Sequence, residues 1–262
     1  MAVFRKDCIM FQKKTTAFVM TTEEINSTQI KNFYNTINSP WPNDFFNRHT
    51  KEMISNYVVN KFSNIDRHSL ILNAGSGGST YKIPGILFHL DIAEKRISSL
   101  KHFKVGSIEE IPFEDNCFDK IICVGTVINY ISNAPKAIQE LHRVLKKNGT
   151  MILEYERSGS GVLSKKERNT DKLLYKHIYF EQPHENYLYS DNYIKTLLKR
   201  NSFVIRDFQY FNSSIPFFAY FSNHTDEEAC MEKYVAWDGL MRRLPFIKNY
   251  SHNAILLCEK RL

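Results

Sequence analysis

Residues 71 to 91 read Ile71-Leu-Asn73-Ala-Gly75-Ser-Gly77-Gly-Ser79-Thr-Tyr-Lys-Ile-Pro84-Gly-Ile-Leu-Phe-His-Leu-Asp91. An apolar run ends in a glycine-rich turn, a short spacer follows, and a second apolar run ends in an acid. Short apolar runs bounded by turn residues predict buried strands, here two strands of a parallel sheet. Such sheets bind ligands at the carboxyl ends of their strands. Gly75 and Gly77 let the backbone approach a ligand with no Cβ in the way. Asp91 stands where a carboxylate takes both hydroxyls of a ribose. A dinucleotide turn, Gly-x-Gly-x-x-Gly, needs a third glycine opening a helix. Counted from Gly75, that position is Thr80. The spacer from Ser79 to Pro84 leaves little room for a helix when one turn takes about 3.6 residues.

A glycine-rich turn is also an ordinary tight turn, so context decides its meaning. Three further stretches supply it. Phe103 to Val105 is a short strand ending at Gly106. A polar loop, Ser107-Ile-Glu-Glu-Ile-Pro112-Phe-Glu-Asp-Asn-Cys117, then leads through Phe118-Asp119 into the apolar run to Val124. Asn133 to Gly149 predicts a helix. Ile138, Leu141 and Leu145 share one face, Asn133 can cap its start, and Lys146, Lys147 and Asn148-Gly149 suit its end. Thr150 to Glu156 is a strand directly after it.

Together these stretches resemble the class I S-adenosylmethionine-dependent methyltransferases, especially the branch rich in small-molecule enzymes. In that branch the turn is similar to Asp-x-Gly-x-Gly-x-Gly. The middle is similar to Asp-Ala-Glu-x-Leu-Pro-Phe-x-Asp-x-x-Phe-Asp, and the last strand follows Leu-Lys-Pro-Gly-Gly. The likeness covers residues 69 to 156. It implies an α/β fold: a Rossmann-like, doubly wound, seven-stranded and mostly parallel sheet whose last strand is antiparallel. It implies S-adenosyl-L-methionine as cofactor, held by Ala74, Gly75, Ser76, Gly77, Asp91, Ile92, Ser107, Ile108 and Gly125. Ile92 would pack on the adenine, and the backbone of Ile108 would meet the ring edge. Three positions depart from the pattern. Asn73 replaces an acid, Ser79 replaces the third glycine, and Ser107 replaces an aspartate that often accepts from the adenine amino group.

The whole chain sets further bounds. Its 262 residues, 43% hydrophobic, suffice for one α/β domain with appended helices. No apolar stretch approaches the roughly 20 residues that span a bilayer, and residues 1 to 20 lack the continuous apolar region of a secretory signal. Five scattered cysteines (Cys8, Cys117, Cys123, Cys230 and Cys258) form no Cys-x-x-Cys pair. Reduced thiols in a cytoplasmic protein are the expectation. The nine histidines show no metal-ligand spacing, so no metal is expected. A net charge of +7 permits an acidic partner such as RNA. However, the basic residues are dispersed, and Lys165-Lys-Glu-Arg168 and Lys199-Arg200 suit solvated loop and helix ends.

The N-terminal residues 1–66 read as a helical arm, and 67–262 as the cofactor-binding domain with insertions at 158–185 and 211–252. In the arm, Thr21 and Glu24 make a capping box, and Ile30, Phe33, Tyr34 and Ile37 share a face. Asn38-Ser-Pro-Trp-Pro42 breaks the chain before a second helix from Asp44 to Phe62. Relatives of this kind often fold such an arm over the cofactor. Tyr34, Trp41 and Arg48 would then close over it, with Arg48 meeting the methionine carboxylate, or else serve as packing and surface residues. Ser190 caps a helix with Ile194, Leu197 and Leu198 inward. Phe203 to Tyr210 and Asn253 to Glu259 are the last strands. Between them, Thr225 and Glu228 open a helix whose Cys230, Tyr234, Trp237 and Met241 share a face, read as a cover for the substrate pocket or a dimer contact. Ser158 to Pro183 reads as a second covering loop.

The expected reaction is methyl transfer to a small organic acceptor by in-line displacement. A base is needed where the nucleophile carries a proton. Fold position selects Glu156 as base or substrate anchor and Asn129 as the residue that orients the acceptor. A structural hydrogen bond, or an Arg157 partner for Glu156, is the competing reading. Two other functions stay open: an RNA methyltransferase, and a binding partner that has lost catalysis. An NAD-dependent reductase would need Tyr-x-x-x-Lys after the fourth strand, and Ala134 stands four residues after Tyr130.

Overall fold

In the computed structural model, which describes residues 25–161, 163, 167–180, 182–213 and 227–261, β1 (Leu70–Ala74), β2 (Ile86–Asp91) and β3 (Phe103–Val105) form one half of a sheet. The other half is β4 (Phe118–Cys123), β5 (Leu145–Glu156), β8 (Phe203–Phe211) and β9 (Asn253–Lys260). Their spatial order is β3-β2-β1-β4-β5-β9-β8. The first five run parallel, and β9 enters antiparallel between β5 and β8. This is the doubly wound sheet with an antiparallel last strand that the sequence predicts. The strand order reverses between β1 and β4, which places a ligand crevice at their carboxyl ends.

Strand alternation divides the core into two layers. Leu72, Ile121, Leu153 and Leu256 face α4 (Ala134–Val144) and α5 (Asp191–Arg200), which contribute Ile138, Leu141, Ile194 and Leu198. Ile71, Ile122, Ile152 and Ile255 face the other way, against Ile54, Tyr57, Val58 and Phe62 of α2 (Phe45–Phe62). No helix joins β1 to β2, as the short spacer requires, and the one-turn α3 (Glu94–Ile97) follows β2. Helix α2, which precedes β1 in the chain, covers this face instead. Its start is fixed by Asp44, whose carboxylate accepts from the Asn47 N–H at 2.8 Å. Helix α1 (Ser27–Thr36) is capped by Asn26 and buries Ile30 and Phe33.

Three elements differ from the sequence reading. Helix α4 ends at Val144, and Leu145 to Gly149 are already strand. Leu145 pairs with Phe118, and Lys146 reaches Asp119 at 2.8 Å. Tertiary pairing thus overrides the helical end signal. The segment read as a covering loop contains a two-stranded hairpin, β6 (Lys172–Tyr179) and β7 (Gln182–Tyr189), with His177 opposite His184. In α6 (Glu227–Met241) the inward residues are Tyr234, Asp238 and Met241, while Trp237 is 50% exposed. The periodic reading chose the large apolar ring, but a buried polar network recruits Asp238. Thr21 and Glu24, Cys8, Thr225 and the side chains of Glu228 and Cys230 lie outside the described residues.

Candidate active site

A cavity of about 660 Å³ lies at the carboxyl ends of β1, β4 and β5, beneath α1, the start of α2 and the β6–β7 hairpin. Its first wall is the glycine turn. The N–H groups of Gly75 and Ser76 both donate to the Leu90 carbonyl, at 2.7 and 3.0 Å, and so lock the turn onto β2. Gly75 has φ +68°, and a Cβ there would meet Val127 Cγ1 at 2.3 Å. Only glycine fits that position without displacing its neighbour. Asn73, the departure from the family acid, donates from its amide to the Ser79 carbonyl at 2.8 Å. A carboxylate cannot make that bond, so this shortened turn favours the amide.

Asp91 closes the second wall. Its Oδ2 accepts from the Gly77 N–H at 2.7 Å and its Oδ1 from the Ala93 N–H at 2.8 Å. Burial pushes the carboxyl above the usual aspartate range, and these backbone donors only partly offset it. Each carboxylate oxygen retains a second lone pair for a ligand hydroxyl. Ile92, Ser107 and Ile108 line the same side. The Ser107 Oγ accepts from the Glu109 N–H at 3.1 Å, folding its own loop. Ala74 is buried in the sheet core and does not line the cavity.

Gly125 and Thr126 form the third wall, and their conformation rests on Glu154, which sequence reasoning missed. Glu154 Oε2 accepts from the N–H of Gly125 at 3.0 Å and of Thr126 at 2.6 Å. Its Oε1 accepts from the Asn253 amide at 2.7 Å. Burial pushes this carboxyl up to about 7, against the lowering pull of those donors. The available signal was spacing: Glu154 and Glu156 alternate on β5 and therefore share a face.

Glu156 lines the cavity. Its Oε2 accepts from the Asn186 amide at 2.6 Å, and His252 Nε2 lies 3.6 Å from Oε1. Burial works against the ionised form, but His252 and the Asn186 amide hold the carboxyl below the usual glutamate range. Arg157 does not pair with Glu156. It grips Asp191 with two bonds of 2.8 Å. Asn129 is fully buried and is not among the cavity-lining residues. Its amide donates to the carbonyls of Glu156 and Tyr187, at 3.0 and 2.5 Å, and its Oδ1 accepts from the Glu156 N–H at 3.0 Å. In this geometry Asn129 positions the Glu156 backbone between β5 and β7 and touches no ligand space.

The arm supplies the roof. Tyr34 and Trp41 line the cavity, and the Trp41 ring lies 3.5 Å from where a Cβ of Gly125 would be. Arg48 is exposed, donates to the Asn43 carbonyl at 3.2 Å and does not line the cavity. The cation that does is Arg96, which the motifs gave no reason to single out. Its Nε donates to the Tyr34 carbonyl and its Nη1 to the Asn38 carbonyl, both at 2.8 Å. Its Nη2 is buried without a protein partner. An orphaned buried donor, a turn open to close approach and a buried carboxylate fit a ribose-bearing ligand. Among the described residues no group of His, Cys, Asp and Glu is arranged to hold a metal ion. Nor is any described helix long and apolar enough to cross a membrane.

Comparison with known proteins agrees with this geometry. A methyltransferase-domain family model matches residues 89–206. A demethylmenaquinone methyltransferase of Staphylococcus aureus is 32% identical over 80 residues, 29% of this chain and 33% of its own length. The chain spans less than half the length of two curated relatives it matches. A solved structure described as a candidate S-adenosylmethionine-dependent methyltransferase of Listeria monocytogenes superposes with TM-score 0.56 at 12% identity, covering 82% of this chain and 100% of that one. The cyclase SpnF superposes with TM-score 0.59 at 14% identity, covering 91% and 97%. Fold likeness alone therefore does not fix the reaction.

Proposed function

We propose that this chain, which carries a class I S-adenosylmethionine-dependent methyltransferase domain, transfers the methyl group of that cofactor to a small organic acceptor. The observation that carries the proposal is one cavity joining two dissimilar ends. One end is the glycine turn with Asp91, and the other is the half-buried carboxylate of Glu156.

S-adenosylmethionine supplies, when bound, a methyl carbon already made electrophilic by its sulfonium. The protein's part is then to hold, align and keep dry. Asp91 takes the ribose hydroxyls, Ile92 and Ile108 flank the adenine, and Gly75, Ser76, Gly77 and Gly125 allow close backbone approach. Arg96, beside Asp91, offers its unpartnered N–H to the same ligand. Tyr34, Trp41 and Tyr179 close the cavity against water, which is the lid role assigned to the arm. Holding the acceptor in line at near-attack distance is where such a site gains most of its rate. Glu156 anchors the acceptor or takes its proton. Dispersed positive charge and a concave, partly aromatic lining support a small molecule over RNA. A cytoplasmic location, where Cys123 and Cys258 stay reduced, fits the cysteine pattern.

The test combines two measurements. Calorimetry should detect binding of S-adenosylmethionine and S-adenosylhomocysteine and no binding of NAD. Labelled S-adenosylmethionine should then mark molecules of a metabolite extract and not total tRNA or rRNA. Labelled RNA would replace the small-molecule reading. Cofactor binding with no labelled acceptor in any extract would favour a binding protein.

A further inference from the structure

The inner end of the cavity is a chain of aromatic rings. Tyr175 stacks on His177, with centroids 5.5 Å apart and planes at 18°. His177 meets His184 edge-on at 5.7 Å, His184 meets Tyr130 at 5.1 Å, and Tyr130 meets Tyr34 at 6.2 Å. β6 makes this possible, because Tyr175, His177 and Tyr179 alternate on one face of the strand and all three line the cavity. Glu156 sits among these rings with its side chain 20% exposed.

Among the described residues, Glu156 meets one potentially cationic group, His252, at Oε1, while its Oε2 accepts from the neutral Asn186 amide. Among the described cavity-lining residues, the cationic or potentially cationic groups are Arg96, His177 and His252. Arg96 donates to the arm carbonyls from Nε and Nη1 and offers its remaining Nη2 on the Asp91 side. Burial lowers His177 below the usual histidine range, and its Nδ1 is buried without a hydrogen-bond partner. His252 approaches Glu156 only to 3.6 Å, and its other ring nitrogen lies 3.0 Å from the Ser160 hydroxyl. Burial, and after it the Glu156 charge, pushes the Tyr175 hydroxyl up to about 12. The tyrosine rings offer π faces that attract a cation. A neutral imidazole nitrogen can accept an N–H, and a carboxylate supplies the counter-charge.

We infer that the acceptor carries an ammonium group, seated against Glu156 within the rings of Tyr34, Tyr130, Tyr175, His177 and Tyr179. The inference rests on the methyl-transfer reading and narrows its substrate to amines, which bind as the ammonium and give up one proton, to Glu156 or to water, before the nitrogen lone pair can accept the methyl group. A neutral alcohol or a carboxylate gains nothing from the π faces, and a carboxylate is repelled by Glu156.

The experiment uses the full chain saturated with S-adenosylhomocysteine and two matched probe pairs, choline with 3,3-dimethylbutan-1-ol and 2-phenylethylamine with 2-phenylethanol. Calorimetry should show at least one cationic probe binding tenfold or more tightly than its neutral counterpart. Glu156→Gln should cut that preference to threefold or less, and Tyr175→Leu should reduce it as well. Both variants should bind S-adenosylhomocysteine within about twofold of the unmodified protein, which certifies that they are folded. No cationic probe outbinding its neutral counterpart, or a preference untouched by Glu156→Gln, overturns the inference. If S-adenosylhomocysteine itself does not bind, the methyl-transfer reading falls instead, so the two failures are distinguishable.

Discussion

Arg96 donates from Nε to the Tyr34 carbonyl at 2.8 Å, tying the one-turn helix after β2 to the arm that roofs the cavity. A second bond, to the Asn38 carbonyl at 2.8 Å, and the Lys95 N–H on the Asn35 amide oxygen at 3.1 Å reinforce the tie. From the far side, the Tyr179 hydroxyl donates to the Pro40 carbonyl at 2.7 Å. The β2 side of the cavity, the arm and the hairpin thus meet through polar contacts, and also through Phe33, whose ring packs on His184 at 4.6 Å and Tyr179 at 6.0 Å.

Removing the Arg96 tie should free the arm selectively. Hydrogen bonds from charged groups contribute about 1.5–3 kcal/mol each. In Arg96→Ala, amide exchange in residues 27–36 should accelerate by tenfold or more, while β1, β4 and β5 keep their protection. Hydrogen-exchange mass spectrometry reads both regions at once. Equal acceleration everywhere, or none in α1, contradicts the assignment.

The two glycines most unlike each other make a paired stability test. At Gly75, alanine must adopt a left-handed conformation, costing about 1–2 kcal/mol. It must also displace Val127, and overpacking costs about 1–3 kcal/mol. Gly239, within α6, has open space around a Cβ, and alanine in a helix is favoured over glycine by about 0.5–1 kcal/mol. Urea unfolding should therefore show Gly75→Ala destabilised by about 2–5 kcal/mol and Gly239→Ala stabilised by less than about 1 kcal/mol.

Glu154 gives a pH signature with a defined sign. Its carboxyl is raised by burial from 4.5 to about 7 in the folded chain. The folded state holds a proton that the unfolded state has lost, so the associated stability is complete below pH 4.5. It is lost as pH rises through about 7. At 1.36 kcal/mol per pKa unit the change is on the order of 3 kcal/mol. The difference in unfolding free energy between the unmodified protein and Glu154→Gln should shrink by about that amount from pH 4.5 to pH 8. A difference independent of pH would show that Glu154 does not titrate in this window.

The sheet was legible in the sequence because its strands are continuous apolar runs closed by glycine or an acid, as at Gly75 and Asp91. The missing helix after β1 was legible from chain length alone. The hairpin was not, because Tyr175, His177 and Tyr179 alternate with Lys176 and with apolar residues in a pattern that reads as polar loop. Asp238 was passed over for Trp237 because helical periodicity weighs apolar area. It cannot see that Asp238 accepts the Asn212 N–H at 3.2 Å and lies 3.4 Å from His49. Glu154 and Arg96 escaped for a similar reason. Each acts on backbone groups brought near it only by the folded chain; the i, i+2 spacing of Glu154 and Glu156 marks a shared face but not the backbone groups that Glu154 meets. Asn129 and Arg48 show the reverse: fold position nominated the first and the likeness to arm-bearing relatives the second, and local bonding holds both outside the cavity lining.

The central claim is that Asp91, already bonded to the Gly77 N–H, holds the ribose of S-adenosylmethionine. Calorimetric titration of S-adenosylhomocysteine into the unmodified protein and Asp91→Ala tests it most directly. Loss of bonds to a charged acceptor, at about 1.5–3 kcal/mol, predicts an affinity lower by roughly tenfold to a hundredfold in a variant that still unfolds cooperatively. Unchanged affinity in folded Asp91→Ala, or no measurable binding to the unmodified protein, would contradict the account.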